Sequence, residues 1–128
     1  MTDHPSGFVL AVVDDDHSVL RSLEYLLQSA DYSVRLFTSG RALLESGCLP
    51  EIHCLISDID MPGMDGFELL ERLQAARPGL RTILITGYPD RLQRMPPLAG
   101  IYPGLFTKPF QAHELLAAVG DVLRNPPG

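Results

Sequence analysis

Phe8-Val9-Leu10-Ala11-Val12-Val13-Asp14-Asp15 is an apolar run that ends on two carboxylates. A short, unbroken apolar run bounded by polar turn residues reads as a strand buried on both faces, as in parallel sheets. Three more stretches have the same form. Cys54-Leu55-Ile56 passes through Ser57 into Asp58, Ile83-Leu84-Ile85 ends on Thr86, and Leu105-Phe106-Thr107 ends on Lys108, followed by Pro109. Open parallel sheets bind ligands beyond the carboxyl ends of their strands. Laid side by side, these four strands bring three carboxylates, a hydroxyl and an ammonium to one edge. That set suits Mg2+ and a phosphoryl group.

The segments between the strands read as helices. Asp16 to Ser18 offer N-cap chemistry, and Leu20, Leu23, Leu27 and Ala30 then recur at helical spacing. Ser33–Phe37 alternates polar and apolar residues, as a strand near a sheet edge does. Thr38-Ser39-Gly40 is a turn and cap before a short helix through Leu43 and Leu44, stopped by Gly47 and Pro50. Met61-Pro62-Gly63-Met64-Asp65-Gly66 is a loop, with Asp65 as a cap for the helix over Phe67–Arg77, which Pro78-Gly79 ends. Gln111–Arg124 is an amphipathic last helix built on Leu115, Leu116, Val119, Val122 and Leu123. Strand and helix alternate through five rounds, which predicts an open α/β sheet with helices on both faces and right-handed crossovers. The stretch from Tyr88 to Gly104 breaks the rhythm, because Pro89, Pro96, Pro97 and Pro103 interrupt it. Proline in a helix interior costs about 3 kcal/mol. A short helix near Asp90–Met95 is the most this segment accommodates, so the fourth helix is expected to be degenerate and partly irregular.

Composition narrows the class. With 128 residues and 45 % apolar content, the chain suits a single packed core. Residues 1–7 read as a disordered lead, 8–124 as the domain, and 125–128 as a tail or the start of a linker. The net charge of −6 argues against direct binding to nucleic acid, which rests on Lys and Arg contacts to phosphate. No apolar stretch approaches the roughly 18 residues needed to cross a bilayer, and no signal-like segment opens the chain, so a cytoplasmic protein without membrane contact is expected. Cys48 and Cys54 form neither a disulfide framework nor a metal-ligand spacing and read as a loop thiol and a strand-core thiol. His4, His17, His53 and His113 are scattered and read as surface or capping residues.

The strand-end residues divide the chemistry among themselves. A carboxylate can attack phosphorus and form an acyl phosphate. Nucleophile and incoming group are both anionic, so the site must supply positive charge. Mg2+ takes oxygen ligands, one or two carboxylates with waters and phosphate oxygens. Asp14 and Asp15 suit the metal, and Asp58 suits both nucleophile and ligand. Lys108 offers a point charge to a phosphate oxygen and Thr86 a hydrogen bond. Asp60 borders the site. Aspartates after strands are common turn residues, and a threonine at a strand end is ordinary β chemistry. The joint arrangement at four strand ends is what favours function.

At this point the chain resembles the receiver domain of bacterial two-component response regulators. The resemblance lies in Val12-Val13-Asp14-Asp15-Asp16, Asp58-Ile59-Asp60-Met61-Pro62-Gly63-Met64-Asp65-Gly66, Ile85-Thr86-Gly87 and Lys108-Pro109-Phe110, and covers nearly all of residues 8–124. The last two segments look most like receivers that precede LuxR-type DNA-binding domains. The resemblance implies a flavodoxin-like doubly wound parallel sheet of five strands in the order 2-1-3-4-5. It implies that Asp58 is the phosphoacceptor for a histidine kinase or phosphotransfer protein. Asp14 and Asp15 become the acidic pair, with Asp15 favoured as the direct metal ligand, and the Asp60 backbone carbonyl becomes a further one. Thr86 becomes the switch hydroxyl, Lys108 the phosphate partner, and Lys108–Pro109 a cis bond. Acceptance and hydrolysis of the phosphoryl group would be autocatalytic, which is not conventional enzyme turnover.

Two positions depart from the family pattern. Receivers usually carry an aromatic residue three positions before the lysine, where this chain has Leu105, and Pro96-Pro97 falls where the fourth helix belongs. Both lie on the face that receivers use to signal to output domains and partners, and often to form homodimers. These departures motivate a competing expectation, a pseudo-receiver that binds partners without phosphorylation. Asp58-Ile59-Asp60 also fits the Asp-x-Asp signature of haloacid-dehalogenase-type phosphatases. There, however, that signature comes on the first strand and the acidic pair last, the reverse of the order here.

Overall fold

The computed structural model describes residues 7–61, 63, 64, 66–87 and 104–124. In chain order these form β1 (Val9–Val13), α1 (His17–Ser29), β2 (Ser33–Phe37), α2 (Gly40–Glu45), a 3-10 turn (Leu49–Glu51), β3 (Cys54–Asp58), α3 (Gly66–Ala76), β4 (Arg81–Thr86), β5 (Gly104–Thr107) and α4 (Ala112–Arg124). All five strands are parallel and lie in the order β2-β1-β3-β4-β5, as the resemblance implies. β1 and β3 are buried along their whole length, whereas β2 is half-buried with Arg35 exposed, as an edge strand is. Residues 1–6 of the lead expected over 1–7, the cap expected at Asp65, most of the stretch between Thr86 and Lys108, including Pro96-Pro97, for which a degenerate helix was expected, and residues 125–128 lie outside the described residues.

Alternation along the strands splits the core into two layers. Leu10, Val12, Cys54, Ile56, Ile83 and Ile85 face α1 and α4, packing against Leu20, Leu23, Leu27, Leu115 and Val119. Ala11, Val13 and Leu55 point the other way and meet Leu43 of α2 and Leu69 and Leu73 of α3. Leu55 is fully buried at the middle of this second layer. Leu55→Ala is expected to cost about 3 kcal/mol through lost burial and an incompletely closed cavity. In a domain of this size that lowers Tm by about 10 °C, measurable by calorimetry.

The helix ends follow local rules. Asp16 caps α1 by accepting from the Ser18 N–H at 2.8 Å, and Ser39 caps α2 by accepting from the Ala42 N–H at 3.1 Å. At the far end of α1, Tyr32 N–H reaches the Leu27 carbonyl and Asp31 N–H the Gln28 carbonyl, with Asp31 at a φ of 69°. This is a Schellman-type stop in which an aspartate takes the left-handed position usually given to glycine. After α3 the reversal falls on Gly79, at a φ of 87°. Arg77 donates from Nη1 to the carbonyls of Leu49 and Ile52, tying the end of α3 to the 3-10 turn.

His53 has a structural task. Its Nδ1 accepts the Val9 N–H at 3.0 Å, its own N–H donates to the Val9 carbonyl, and its ring meets Phe8 edge-on. It therefore extends the β1–β3 ladder at the end away from the acidic edge, a capping role as expected. Cys54 sits in the core with its thiol pushed up to about 12, by burial first, with the charge of Arg81 opposing. Cys48 is half-buried in a loop. Since the thiolate is the reactive form, a disulfide reagent at pH 8 is expected to label Cys48 readily. Cys54 should react on the order of a hundredfold more slowly until the protein is denatured.

Candidate functional site

The strand order sets where a site can form. From β1 the chain winds one way to β2, and from β3 the other way through β4 to β5, so the winding reverses between β1 and β3. Helices leave a crevice there, beyond the carboxyl ends. Register then decides which residues meet. Val13 pairs with Ser57, Asp58 with Ile85, and Thr86 with Thr107. Asp14, Asp58, Thr86 and Lys108 therefore fall at one edge. The backbone continues the ladder past the strands, with Ile59 N–H donating to the Ile85 carbonyl at 2.9 Å and Lys108 N–H to the Thr86 carbonyl at 2.7 Å. The Lys108–Pro109 bond is cis.

Three carboxylates converge. Asp14, Asp15 and Asp58 each offer an oxygen, and these atoms all lie within 4.8 Å of one another. Asp14 and Asp58 are 1 % and 4 % exposed, while Asp15 faces solvent. Two buried carboxylates beside a third repel, so the surroundings must offset the charge. Lys108 does part of this, with Nζ donating to Asp14 Oδ2 at 3.2 Å and lying 3.5 Å from Asp58 Oδ2. Backbone amides do more: Asp16 N–H donates to Asp14 Oδ1 at 2.9 Å and Asp60 N–H to Asp58 Oδ1 at 3.2 Å.

The compensation is incomplete. Burial pushes the Asp58 carboxyl up to about 6; the Asp60 N–H opposes this, and the charges on Asp14 and Asp60 add to it. Burial also raises Asp14, against the Asp16 N–H and Lys108. For Lys108, burial works against the charged form but is outweighed by the Asp14 and Asp58 carboxylates, and the ammonium is held above its ordinary value. The chain alone thus leaves an excess of buried negative charge at one point. Carboxylate oxygens, no sulfur or imidazole, and an exposed member at the rim are the donor set that Mg2+ prefers.

All six residues singled out from the sequence lie at this edge, in different relations. Asp14, Asp15, Asp58 and Lys108 form the charged cluster. Asp60 contributes no side-chain oxygen to it; the atom expected to bind metal there is the backbone carbonyl. Its carboxylate instead accepts a hydrogen bond from Thr86 Oγ1 at 2.7 Å. Thr86 is fully buried. Sequence reasoning did not reach that bond, nor the pairing of Lys108 with Asp14 across 94 residues of chain. Leu105 lies within β5, and its side chain is outside the described residues.

Comparison with known proteins gives a consistent result. The family model described as response regulator receiver domain matches residues 10–120. The chain is 34 % identical over 116 residues to the transcriptional regulatory protein FixJ of Bradyrhizobium diazoefficiens, covering 89 % of this chain and 56 % of that protein. Against the response regulator protein TodT of Pseudomonas putida it is 32 % identical over 127 residues, covering 99 % and 55 %. The solved structure of the response regulator StyR superposes with a TM-score of 0.78 at 36 % identity, covering 91 % of this chain and 59 % of that one. The chain spans about half the length of the curated relatives it matches. These matches favour neither a phosphatase nor a pseudo-receiver. Among the described residues, no helix is long and apolar enough to cross a membrane.

Proposed function

This chain belongs to the response regulator receiver family, and we propose that within it Asp58 accepts a phosphoryl group in a Mg2+-dependent reaction. The observation that carries the reading is the convergence of Asp14, Asp15 and Asp58 within 4.8 Å of one another, with the Lys108 ammonium beside Asp14 and Asp58. In the reaction, an Asp58 carboxylate oxygen attacks the phosphorus of a phosphohistidine. The new O–P bond forms as the P–N bond breaks, and the departing imidazole keeps the electron pair. Lys108 stands 3.5 Å from the acceptor carboxylate, close enough to pair with an oxygen of the incoming group. Thr86 lies one strand away with a hydroxyl that can donate to another. Mg2+, held by Asp14, Asp15, Asp58 and the Asp60 carbonyl, would neutralise the charge gathered on the acceptor and on the transferred group. The chain's part is mostly positioning and electrostatics.

The donor is a cytoplasmic histidine kinase or phosphotransfer protein. Beside Lys108 lies a groove of about 380 Å³ lined by Ser18, Val19, Ser22, Leu23, Pro109 and Phe110, mostly apolar and continuous with the site. A donor helix seated there would bring its histidine to Asp58. Transfer then switches contacts with an output module, which in the longer relatives lies outside the matched half. The test is incubation with acetyl phosphate followed by intact mass. One added phosphoryl group in Mg2+, and none in EDTA, is expected. No adduct in protein that binds Mg2+ would overturn the reading.

A further inference from the structure

Gly40 opens α2 at a point where a side chain would displace a neighbour. Its φ lies outside the left-handed region, so the backbone itself would accept other residues. The need for glycine comes from its surroundings. A Cβ placed on Gly40 would stand 3.1 Å from Met64 Sδ and 3.1 and 3.3 Å from the two methyl carbons of Leu69. Comfortable contact between such atoms begins near about 3.5 Å. Leu69 is fully buried in the core layer that holds Leu43, Leu55 and Leu73, where close packing leaves it little room to retreat. Met64 is half-buried and borders a cleft of about 490 Å³ lined by Ser39, Arg41, Gly63, Glu68 and Arg72. Added bulk at position 40 would therefore push Met64 outward.

Met64 belongs to the stretch that follows the acceptor strand. Close to Asp58 that stretch is held by the Ile59 N–H on the Ile85 carbonyl, by the Asp60 N–H on Asp58 Oδ1 and by the buried side chain of Met61. Met64 on Gly40 ties it to α2 as well. We propose that Gly40 and Met64 are positioning residues: the bare Cα of Gly40 seats the Met64 thioether, and the seat holds the Asp60 carbonyl where Mg2+ requires it. The inference rests on the Mg2+ site read above and deepens it. Mg2+ demands near-octahedral geometry, so it tolerates little displacement of a ligand. Residues that orient ligands without touching the metal still govern affinity for it.

Calorimetric titration with Mg2+ tests the seat on the intact chain, with uptake from acetyl phosphate followed in parallel by intact mass. Gly40→Val is expected to weaken Mg2+ binding about tenfold. Met64→Ala, which empties the seat, should weaken it about fivefold. The double variant should bind Mg2+ within about twofold of the parent, because one substitution adds the bulk that the other removes. Phosphoryl uptake should follow the same order in limiting Mg2+ and differ by less than about twofold in saturating Mg2+, a split that a general loss of packing does not produce. Parent affinity in either folded single variant would overturn the seat. So would losses that simply add in the double variant, or equal rate losses at both Mg2+ levels. If Gly40→Val fails to fold, Gly40→Ala decides in its place, with a loss of about threefold expected and parent affinity overturning the seat. A parent that binds Mg2+ yet accepts no group would overturn the phosphoacceptor reading and leave the seat standing. A parent that binds no Mg2+ would overturn both.

Discussion

Asp58→Asn is expected to take up no phosphoryl group and, in EDTA, to melt higher than the parent. Both results come from one cause. The carboxylate is 4 % exposed and shares its surroundings with Asp14 and Asp15. Burial holds its carboxyl at about 6, above the ordinary range, so at neutral pH the folded chain keeps a charge that its surroundings disfavour. Asparagine has the same shape and retains an oxygen for the Asp60 N–H, but carries no charge. Lys108 loses one partner and keeps Asp14 at 3.2 Å. The net gain is expected to be about 1 kcal/mol, a rise of several degrees in Tm. Mg2+ should then raise the Tm of the parent more than that of the variant, because the variant has one carboxylate fewer to offer. Scanning calorimetry in EDTA and in Mg2+ checks this. A variant less stable than the parent in EDTA would mean that the cluster is well compensated without a metal.

Lys108→Ala should have the opposite effect on stability. It removes an ammonium that lies 3.2 Å from Asp14 and 3.5 Å from Asp58. Two buried carboxylates are left with backbone amides as their compensation. Breaking a fully buried pair costs about 3–5 kcal/mol, and because the lysine side chain is 28 % exposed the expected loss here is smaller, about 2 kcal/mol in EDTA. Mg2+ brings positive charge to the same oxygens, so the gap between parent and variant should narrow when it is added. Phosphoryl uptake should fall about a hundredfold even in Mg2+, since the metal cannot also occupy the position of the lysine. Lys108→Arg should recover stability better than rate, because the planar guanidinium places its charge differently from an ammonium. Equal losses of Tm in EDTA and in Mg2+ would show that lysine and metal do not act on the same charges.

Much of this was legible in the residues because parallel strands are buried on both faces. β1 and β3 needed no partner to be recognised, although they begin at Val9 and Cys54, one residue later than the expected Phe8 and His53. The boundaries of β2, Ser33–Phe37, were legible from its alternation, and α3 begins at Gly66, one residue before the expected start. The strand order was not legible from periodicity. It depended on the resemblance, and the pairing of Asp14 with Lys108 became visible only in the structure. Contacts between side-chain ends were least legible. The Thr86–Asp60 bond needs the β3–β4 register, which pairs Asp58 with Ile85, and a rotamer that turns Asp60 toward β4. The grip of Arg77 on the carbonyls of Leu49 and Ile52 likewise depends on how α3 lies over the 3-10 turn.

The central claim is that the phosphoryl group resides on the Asp58 carboxylate. An acyl phosphate is reduced by borohydride, which converts the aspartate that carries it to homoserine. Protein treated with acetyl phosphate and Mg2+, reduced and digested, would be sequenced by mass spectrometry across Cys54–Met61. Homoserine at position 58, absent without Mg2+, is the expected result. An intact Asp58 with the modification elsewhere, or with none anywhere, would contradict the account.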